Sequence, residues 1–291
     1  MIFTTMNNHK LAKFSFIIPT KNRKELLQRA LNSINKIDYD FIEVVVVVDD
    51  LSSSIEKHID IELFNRLFYS CGKGKIFSTG GGSGGARARN LGLLNCTGFY
   101  VCFLDDDDYV LPNRIDSIKN LLSKHEDFNL PDVILAPVLI NEKNNGGLRL
   151  SVKTPKTFDF YSNLSKFSQY QIGGVTVKKD VALETMFDES LKKFQDTQFV
   201  IDATFNRKVL LISEPIAVYD LNRDIKGVFD NHSSDGIRRD LISFFYLFNK
   251  LNSENKFCWY AKKKWALRCF LVSWRANSLY HIILSLRNLF L

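Results

Sequence analysis

The apolar stretch Phe99-Tyr100-Val101-Cys102-Phe103-Leu104 runs directly into Asp105-Asp106-Asp107-Asp108. Six mostly apolar residues read as a buried strand, and four carboxylates stand where it ends. Like charges this close repel one another. A divalent cation bound through hard oxygen ligands relieves that repulsion. Ligands of open α/β sheets bind beyond the carboxyl ends of the strands. The stretch therefore reads as a strand that delivers a metal to the rim of a parallel sheet. The alternative is an acidic turn whose Asp residues cap a helix before Leu111-Pro112.

The segments around it alternate. Phe14 to Ile18 is a strand, and Asn22 to Ile34 carries Leu26, Leu27, Ala30, Leu31 and Ile34 at helical spacing. Phe41 to Val48 is a second strand, and its unbroken valines, Val44 to Val48, suit a strand covered on both faces. A helix is expected from Ile55 to Phe68, a short strand at Lys75 to Phe77, a helix from Ala86 to Leu94 and another after Pro112. Val133 to Ile140 reads as one strand. Gln171 to Val177 and Val209 to Ile212 read as two more, with a helix at Asp196 to Phe205 between them. Strand–helix repetition implies a mostly parallel sheet with helices on both faces. Ser151 to Tyr170 has no clear period and reads as a loop region on the substrate side.

The formal net charge of +7 favours anionic partners. Its cations concentrate towards the C-terminus. There Lys262-Lys263-Lys264, Arg268, Arg275 and Arg287 accompany Trp259, Trp265 and Trp274, read as interfacial residues. Leu267, Phe270, Leu271 and Trp274 share one helical face. A basic amphipathic helix of this kind can lie in a membrane surface; packing on the rest of the chain is the alternative. Nucleic acid is not expected as a partner, because an acidic rim repels a phosphate backbone. The five cysteines are scattered without a CxxC pair, which suggests neither a zinc site nor a disulfide framework and suits a cytoplasmic setting. Met1 to Lys13 is polar, and no apolar run approaches the roughly 20 residues of a spanning helix.

Two further motifs carry chemistry. Asp49-Asp50 ends the second strand, where a carboxylate can accept from a base N–H or a ribose hydroxyl; capping the next segment is the other reading. Gly80-Gly81-Gly82-Ser83-Gly84-Gly85 opens a helix and can bring backbone N–H groups to a phosphate. It is not a P-loop, because Ala86-Arg87 follows it. Arg87 and Arg89, with Lys73 and Lys75 nearby, make a diphosphate contact plausible. Two residues apart on a helix, the two arginines do not readily face one ligand.

Together these motifs resemble the GT-A inverting glycosyltransferases of family 2. The similar segments are Phe16-Ile17-Ile18-Pro19-Thr20-Lys21-Asn22-Arg23, Val46-Val47-Val48-Asp49-Asp50-Leu51-Ser52, Gly85-Ala86-Arg87-Ala88-Arg89-Asn90-Leu91-Gly92 and Phe103-Leu104-Asp105-Asp106-Asp107-Asp108. A weaker echo follows at Ile172-Gly173-Gly174, Phe187 to Leu191 and Phe194-Gln195-Asp196. The resemblance implies a Rossmann-like GT-A domain over residues 1–220, with a nucleotide-sugar half (13–140) and an acceptor half (141–220). A C-terminal helical, basic region (221–291) follows. It also implies that Pro19, Thr20 and Arg23 border the nucleotide and that Asp50 contacts the base. Asp105 and Asp107 would bind Mn²⁺ or Mg²⁺ with the diphosphate, Asp106 would lie near the ribose or sugar, and Asp196 would be the general base. For Asp196, capping the following helix is the alternative. His232 is a candidate third metal ligand, against a loop histidine that is merely solvated.

Three departures stand out. Lys21 replaces a usual aromatic, Leu51 a usual Gly and Gln195 a usual Glu. The implied reaction moves a hexose, glucose or galactose, from a UDP-sugar to a sugar hydroxyl on a polyprenyl-diphosphate-linked glycan of surface polysaccharide. The enzyme would work at the cytoplasmic face of the inner membrane. A sugar nucleotidyltransferase is the runner-up, although it needs a Gly-rich loop after the first strand, where this chain has Pro19-Thr20-Lys21-Asn22.

Overall fold

The computed structural model describes residues 12–69, 72–126, 129–142, 147–163, 167–191, 193–221, 245–254, 256, 262–263, 265–267 and 271. In chain order the elements are β1 (Phe14–Thr20), α1 (Lys24–Asn35), β2 (Ile42–Val48), α2 (Ile55–His58), α3 (Ile61–Phe64), β3 (Gly74–Ser78), α4 (Gly85–Asn95), β4 (Tyr100–Phe103) and β5 (Tyr109–Val110). There follow α5 (Arg114–Leu122), β6 (Val133–Leu135), β7 (Leu139–Glu142), β8 (Gly147–Leu150), α6 (Phe160–Asn163), β9 (Val175–Lys178), α7 (Lys179–Thr185), α8 (Gln195–Thr204), β10 (Val209–Leu211) and β11 (Ala217–Asp220). Residues 245–253 are also helical.

Seven strands form the main sheet in the order β10-β6-β9-β4-β1-β2-β3. β1 pairs in parallel with β2 and β4, β2 with β3, and β6 with β10. Only β9 runs the other way, antiparallel to both β4 and β6. A strand from the second half of the chain thus sits between two strands of the first half. Side-chain alternation divides the core in two. Val44, Val46 and Val48 join Phe14, Phe16 and Ile18 under α1 and α5. Val45 and Val47 join Ile17, Val101 and Phe103 under α4 and α8. The valine run is therefore covered on both faces, as expected.

Two expected elements break. Val133 to Ile140 is not one strand. Pro137 has no N–H to give a ladder, so β6 ends at Leu135, and the chain enters a second sheet, ordered β5-β11-β7-β8, at Leu139. Ile55 to Phe68 is not one helix either. Asp60 stops the first piece and caps the next, accepting from the Leu63 N–H at 3.0 Å. Gln171 to Val177 starts with a 3₁₀ turn at Ile172–Gly174, and its strand runs only from Val175.

Of the C-terminal stretch, Trp265 and Ala266 are buried in the same core cluster as Phe199 and Leu251. Trp265 is thus a packing residue and not the interfacial one its composition suggested. Leu267 and Leu271 are exposed. Among the described residues no helix is long and apolar enough to cross a membrane. The other residues read as interfacial or basic helix, and His232, lie outside the described residues, apart from Lys262 and Lys263.

Candidate active site

β1, β2 and β4 run in parallel, so their carboxyl ends open on one rim. Asp105 to Asp108 leave β4 there, and Asp106, Asp107 and Asp108 are buried. Their surroundings divide them. Thr20, the last residue of β1, donates to Asp106 Oδ2 at 2.8 Å. Arg23 reaches Asp106 Oδ1 at 2.9 Å and Asp107 Oδ2 at 2.5 Å. Burial pushes the Asp106 carboxyl up to about 6, with Arg23 pulling it down and Asp107 pushing it further up. Asp108 accepts from the Asp220 N–H of β11 at 3.0 Å, and Asp220 is paired to Arg29 at 2.5 Å. Arg29 also donates to the Asp107 carbonyl.

Asp105, Asp107 and Asp108 each offer an oxygen, and the three lie within 4.8 Å of one another. These hard anionic donors fit a divalent cation such as Mg²⁺ or Mn²⁺. Asp108 thus clusters with Asp105 and Asp107, the two residues expected as ligands, while Asp106 is held by Thr20 and shares Arg23 with Asp107.

The two arginines of α4 separate as helix geometry requires. Arg87 is exposed and 3.6 Å from Glu189. Arg89 is buried; it bonds Asp105 and stands 3.6 Å from Asp196 Oδ1. The two carboxylates raise its pKa against the opposing effect of burial. The inward choice was legible in principle: Ala86, Arg89, Asn90 and Leu93 follow i, i+3, i+4, i+7 spacing and are all buried. Asn90 fixes the neighbouring segment, donating to the Phe187 carbonyl and accepting from the Phe187 N–H, both at 2.9 Å. Phe187 stacks on Phe199 of α8 at 4.3 Å. These contacts bring the start of α8 against α4.

Asp196 lies in the first turn of α8, whose N-cap is Phe194 in a left-handed conformation. The capping alternative for Asp196 therefore falls away. Its Oδ1 is sealed from solvent and makes no hydrogen bond. Burial raises the Asp196 carboxyl above the ordinary range, Arg89 opposes that shift and Asp105 adds to it.

Asp49 and Asp50 part ways at the end of β2. Asp49 is buried and draws in the glycine loop, accepting from the Ser83 N–H at 2.7 Å, the Gly84 N–H at 3.0 Å and the Thr79 hydroxyl at 2.9 Å. Two N–H groups that the glycine run was expected to offer a phosphate are held by this carboxylate. Lys21 lies 3.4 Å from it. Asp50 is partly exposed at the rim and bonded to His58 at 2.9 Å. Neither the Asp49 bonds nor His58 is marked by any local motif.

The glycosyl transferase family 2 model matches residues 15–177, more than half of the chain. The chain belongs to glycosyl transferase family 2. Family 2 membership takes the place of the nucleotidyltransferase alternative. Among its relatives, AmsB of Erwinia amylovora, an amylovoran biosynthesis glycosyltransferase, is 29% identical over 215 residues, or 72% of this chain and 69% of that one. TarS of Staphylococcus aureus, a poly(ribitol-phosphate) β-N-acetylglucosaminyltransferase, is 28% identical over 220 residues, or 74% of this chain but 36% of TarS. The chain thus spans about a third of TarS. The fold matches TarS residues 1–349 in complex with UDP-GlcNAc, with a TM-score of 0.63, 18% identity and coverage of 93% of this chain and 89% of that one. It also matches a Pyrobaculum calidifontis mannosyltransferase in complex with GDP-Man and Mn²⁺, with a TM-score of 0.60, 17% identity and coverage of 92% and 73%. This family 2 chain is accordingly a glycosyltransferase with the GT-A fold.

Proposed function

We propose that this enzyme is an inverting hexosyltransferase acting in surface polysaccharide assembly, of the O-antigen or capsule type. It moves glucose or galactose from a UDP-sugar to a hydroxyl of a polyprenyl-diphosphate-linked glycan. The observation that carries the reaction type is the placement of Asp196: a carboxylate oxygen without a hydrogen bond, 3.6 Å from Arg89, which in turn holds Asp105. A base and an acidic diphosphate site are thereby fixed to one guanidinium.

Asp196 accepts the proton of the acceptor hydroxyl, which attacks the anomeric carbon from the face opposite the diphosphate. One displacement inverts that centre. Arg89 holds Asp196 and Asp105 in place and balances their charge. Pro19, Thr20 and Arg23 border the nucleotide, with Asp50 at the base and Asp106 near the ribose or sugar. Asp105, Asp107 and Asp108 would hold a Mg²⁺ or Mn²⁺ ion, which when bound would supply charge neutralisation for the leaving diphosphate. Arg87, exposed on α4, remains a candidate contact for that diphosphate, and His232 a candidate further ligand.

Support for the donor comes from the UDP-GlcNAc complex of TarS. Support for the acceptor comes from a Campylobacter jejuni relative, 32% identical over 111 residues, named as a GalNAc(5)-diNAcBac-PP-undecaprenol β-1,3-glucosyltransferase. The basic region 221–291 suits peripheral contact with the cytoplasmic face of the inner membrane, each cation adding about 1 kcal/mol near an anionic leaflet.

The test is a donor screen with UDP-glucose, UDP-galactose, UDP-GlcNAc and GDP-mannose on a polyprenyl-diphosphate glycan, with the product anomer read by NMR. A β-linked hexose from a UDP-sugar supports the proposal. Transfer only from GDP-mannose, or an α-linked product, overturns it.

A further inference from the structure

His58 ends α2, eight residues beyond Asp50, and is 1% exposed. Its two ring nitrogens face different partners. The backbone N–H of Asn22 donates to Nδ1 at 2.9 Å. Nδ1 must therefore carry a lone pair, which leaves the ring proton on Nε2. Nε2 stands 2.9 Å from Asp50 Oδ2, so it donates to that carboxylate. Geometry fixes the tautomer, and the ring is a relay with one acceptor end and one donor end.

Each end matters to a different part of the rim. Asn22 has φ of 56°, a left-handed conformation that a non-glycine residue adopts at some strain. It lies in the turn between Thr20 and Arg23, the two residues that hold Asp106. At the other end, Asp50 accepts from the Leu51 N–H through Oδ1 at 2.8 Å. With Oδ2 held by His58, the plane of the carboxylate is set from both sides. Both oxygens keep further lone pairs for a ligand.

We infer that His58 is a positioning residue for nucleotide binding: it orients Asp50 and pins the strained Asn22 turn, joining the base end of the site to its acidic end. The inference rests on the reading above that Asp50 meets the nucleobase. Glutamine can supply the same pair, accepting through its carbonyl and donating through its amide, whereas leucine supplies neither.

The experiment is calorimetric titration of UDP into the full chain with Mn²⁺, for wild type, His58→Gln, His58→Leu, Asp50→Ala and the Asp50→Ala/His58→Leu double variant. Melting temperatures and initial-rate kinetics accompany it. His58→Leu is expected to weaken UDP about tenfold and raise the donor KM with little change in kcat, the scale of one lost hydrogen bond to a charged group. His58→Gln is expected to restore most of the affinity. In the double variant, His58→Leu is expected to add less than its single effect. A ¹⁵N spectrum showing Nδ1 as the unprotonated nitrogen checks the tautomer independently.

Full additivity in the double variant, or loss of affinity equal in His58→Gln and His58→Leu, overturns the positioning role. A protonated Nδ1 at neutral pH overturns it as well. If Asp50→Ala binds UDP as wild type does, the base-contact reading fails and the positioning role of His58 fails with it. Should His58→Leu not fold, His58→Gln and the ¹⁵N spectrum carry the decision.

Discussion

The Arg89 guanidinium stands 3.6 Å from the Asp196 carboxylate and bonds the Asp105 carboxylate with its other terminal nitrogen. One buried cation thus couples the start of α8 to the end of β4, although the two acids are far apart in sequence. The charge on Asp196 is tied to this side chain, which opposes the upward shift that burial imposes.

Removing Arg89 exposes that dependence. Arg89→Met leaves two partly exposed carboxylates without their cation, so the cost stays below the ~3–5 kcal/mol of breaking a fully buried pair. A lower melting temperature is expected, with Arg89→Lys intermediate because it keeps the charge but not the forked geometry. A melting temperature for Arg89→Met equal to wild type would refute the coupling.

The pH dependence follows from Asp196. A general base works deprotonated, and burial holds this carboxyl above the ordinary range. Rates are therefore expected to rise with pH through an apparent pKa above the ~3.9 of a free aspartate. Asp196→Asn should lose about 10²- to 10⁴-fold in kcat, while UDP binding by calorimetry stays unchanged. Wild-type kcat in that variant would remove Asp196 from the mechanism.

Asp108 is expected to matter for metal affinity. Asp108→Asn keeps an oxygen for the Asp220 N–H but removes a charge from the cluster of Asp105, Asp107 and Asp108. The Mn²⁺ concentration for half-maximal activity should rise about tenfold, since ligand charge tunes affinity for hard cations. A Mn²⁺ titration unchanged from wild type would leave Asp108 outside the ligand set.

At the opposite end of the sheet, Glu43 is a stability determinant. Burial alone would raise its pKa, but Lys75, Ser15 and Thr97 hold it at about 2. A depressed carboxyl stabilises the fold above its unfolded pKa of about 4.3, and that stability fades as pH falls through the folded value. Glu43→Gln should lose about 3 kcal/mol near neutral pH. The gap from wild type should narrow between pH 5 and 2, as read by urea denaturation at a series of pH values. A constant gap would contradict the linkage.

Gly174 tests how β9 enters the sheet. A Cβ there would lie 2.3 Å from the Ala136 carbonyl oxygen, a backbone atom that cannot swing aside. The Gly174 carbonyl also accepts from the Ala136 N–H at 2.9 Å. Gly174→Ala is expected to lower stability by about 1–3 kcal/mol or more, measured by denaturant unfolding. No loss would mean that the 3₁₀ turn and β6 can part without penalty.

Much of this molecule is written locally. The valine run of β2, the apolar run of β4 and the spacing of Leu27, Ala30, Leu31 and Ile34 specify strands and a helix, because side-chain period is a property of neighbouring residues. Pro137 and Asp60 were also visible, and their breaking effects follow from a missing N–H and a capping carboxylate. The four Asp after Leu104 marked the rim, and the resemblance singled out Asp196, whose place 3.6 Å from Arg89 came from the structure.

Other features depended on residues distant in the chain meeting in space. The antiparallel insertion of β9 between β4 and β6 is a pairing choice, and a strand's own sequence names no partner. Which acids cluster was decided by Thr20, which bonds Asp106, by Arg23, which bridges Asp106 and Asp107, and by β11, whose Asp220 N–H holds Asp108. Asp49 meets the glycine loop about 35 residues onward, and His58 meets both Asn22 and Asp50, through hydrogen bonds that no spacing encodes. The sequence by itself determined the strands of the main sheet in outline, the helices α1, α4, α5 and α8 and the acidic rim, since period and charge are local, but not the second sheet of β5, β11, β7 and β8. Only the tertiary structure decided what each polar side chain touches, since a hydrogen bond needs its partner within about 3 Å, wherever in the chain that partner lies.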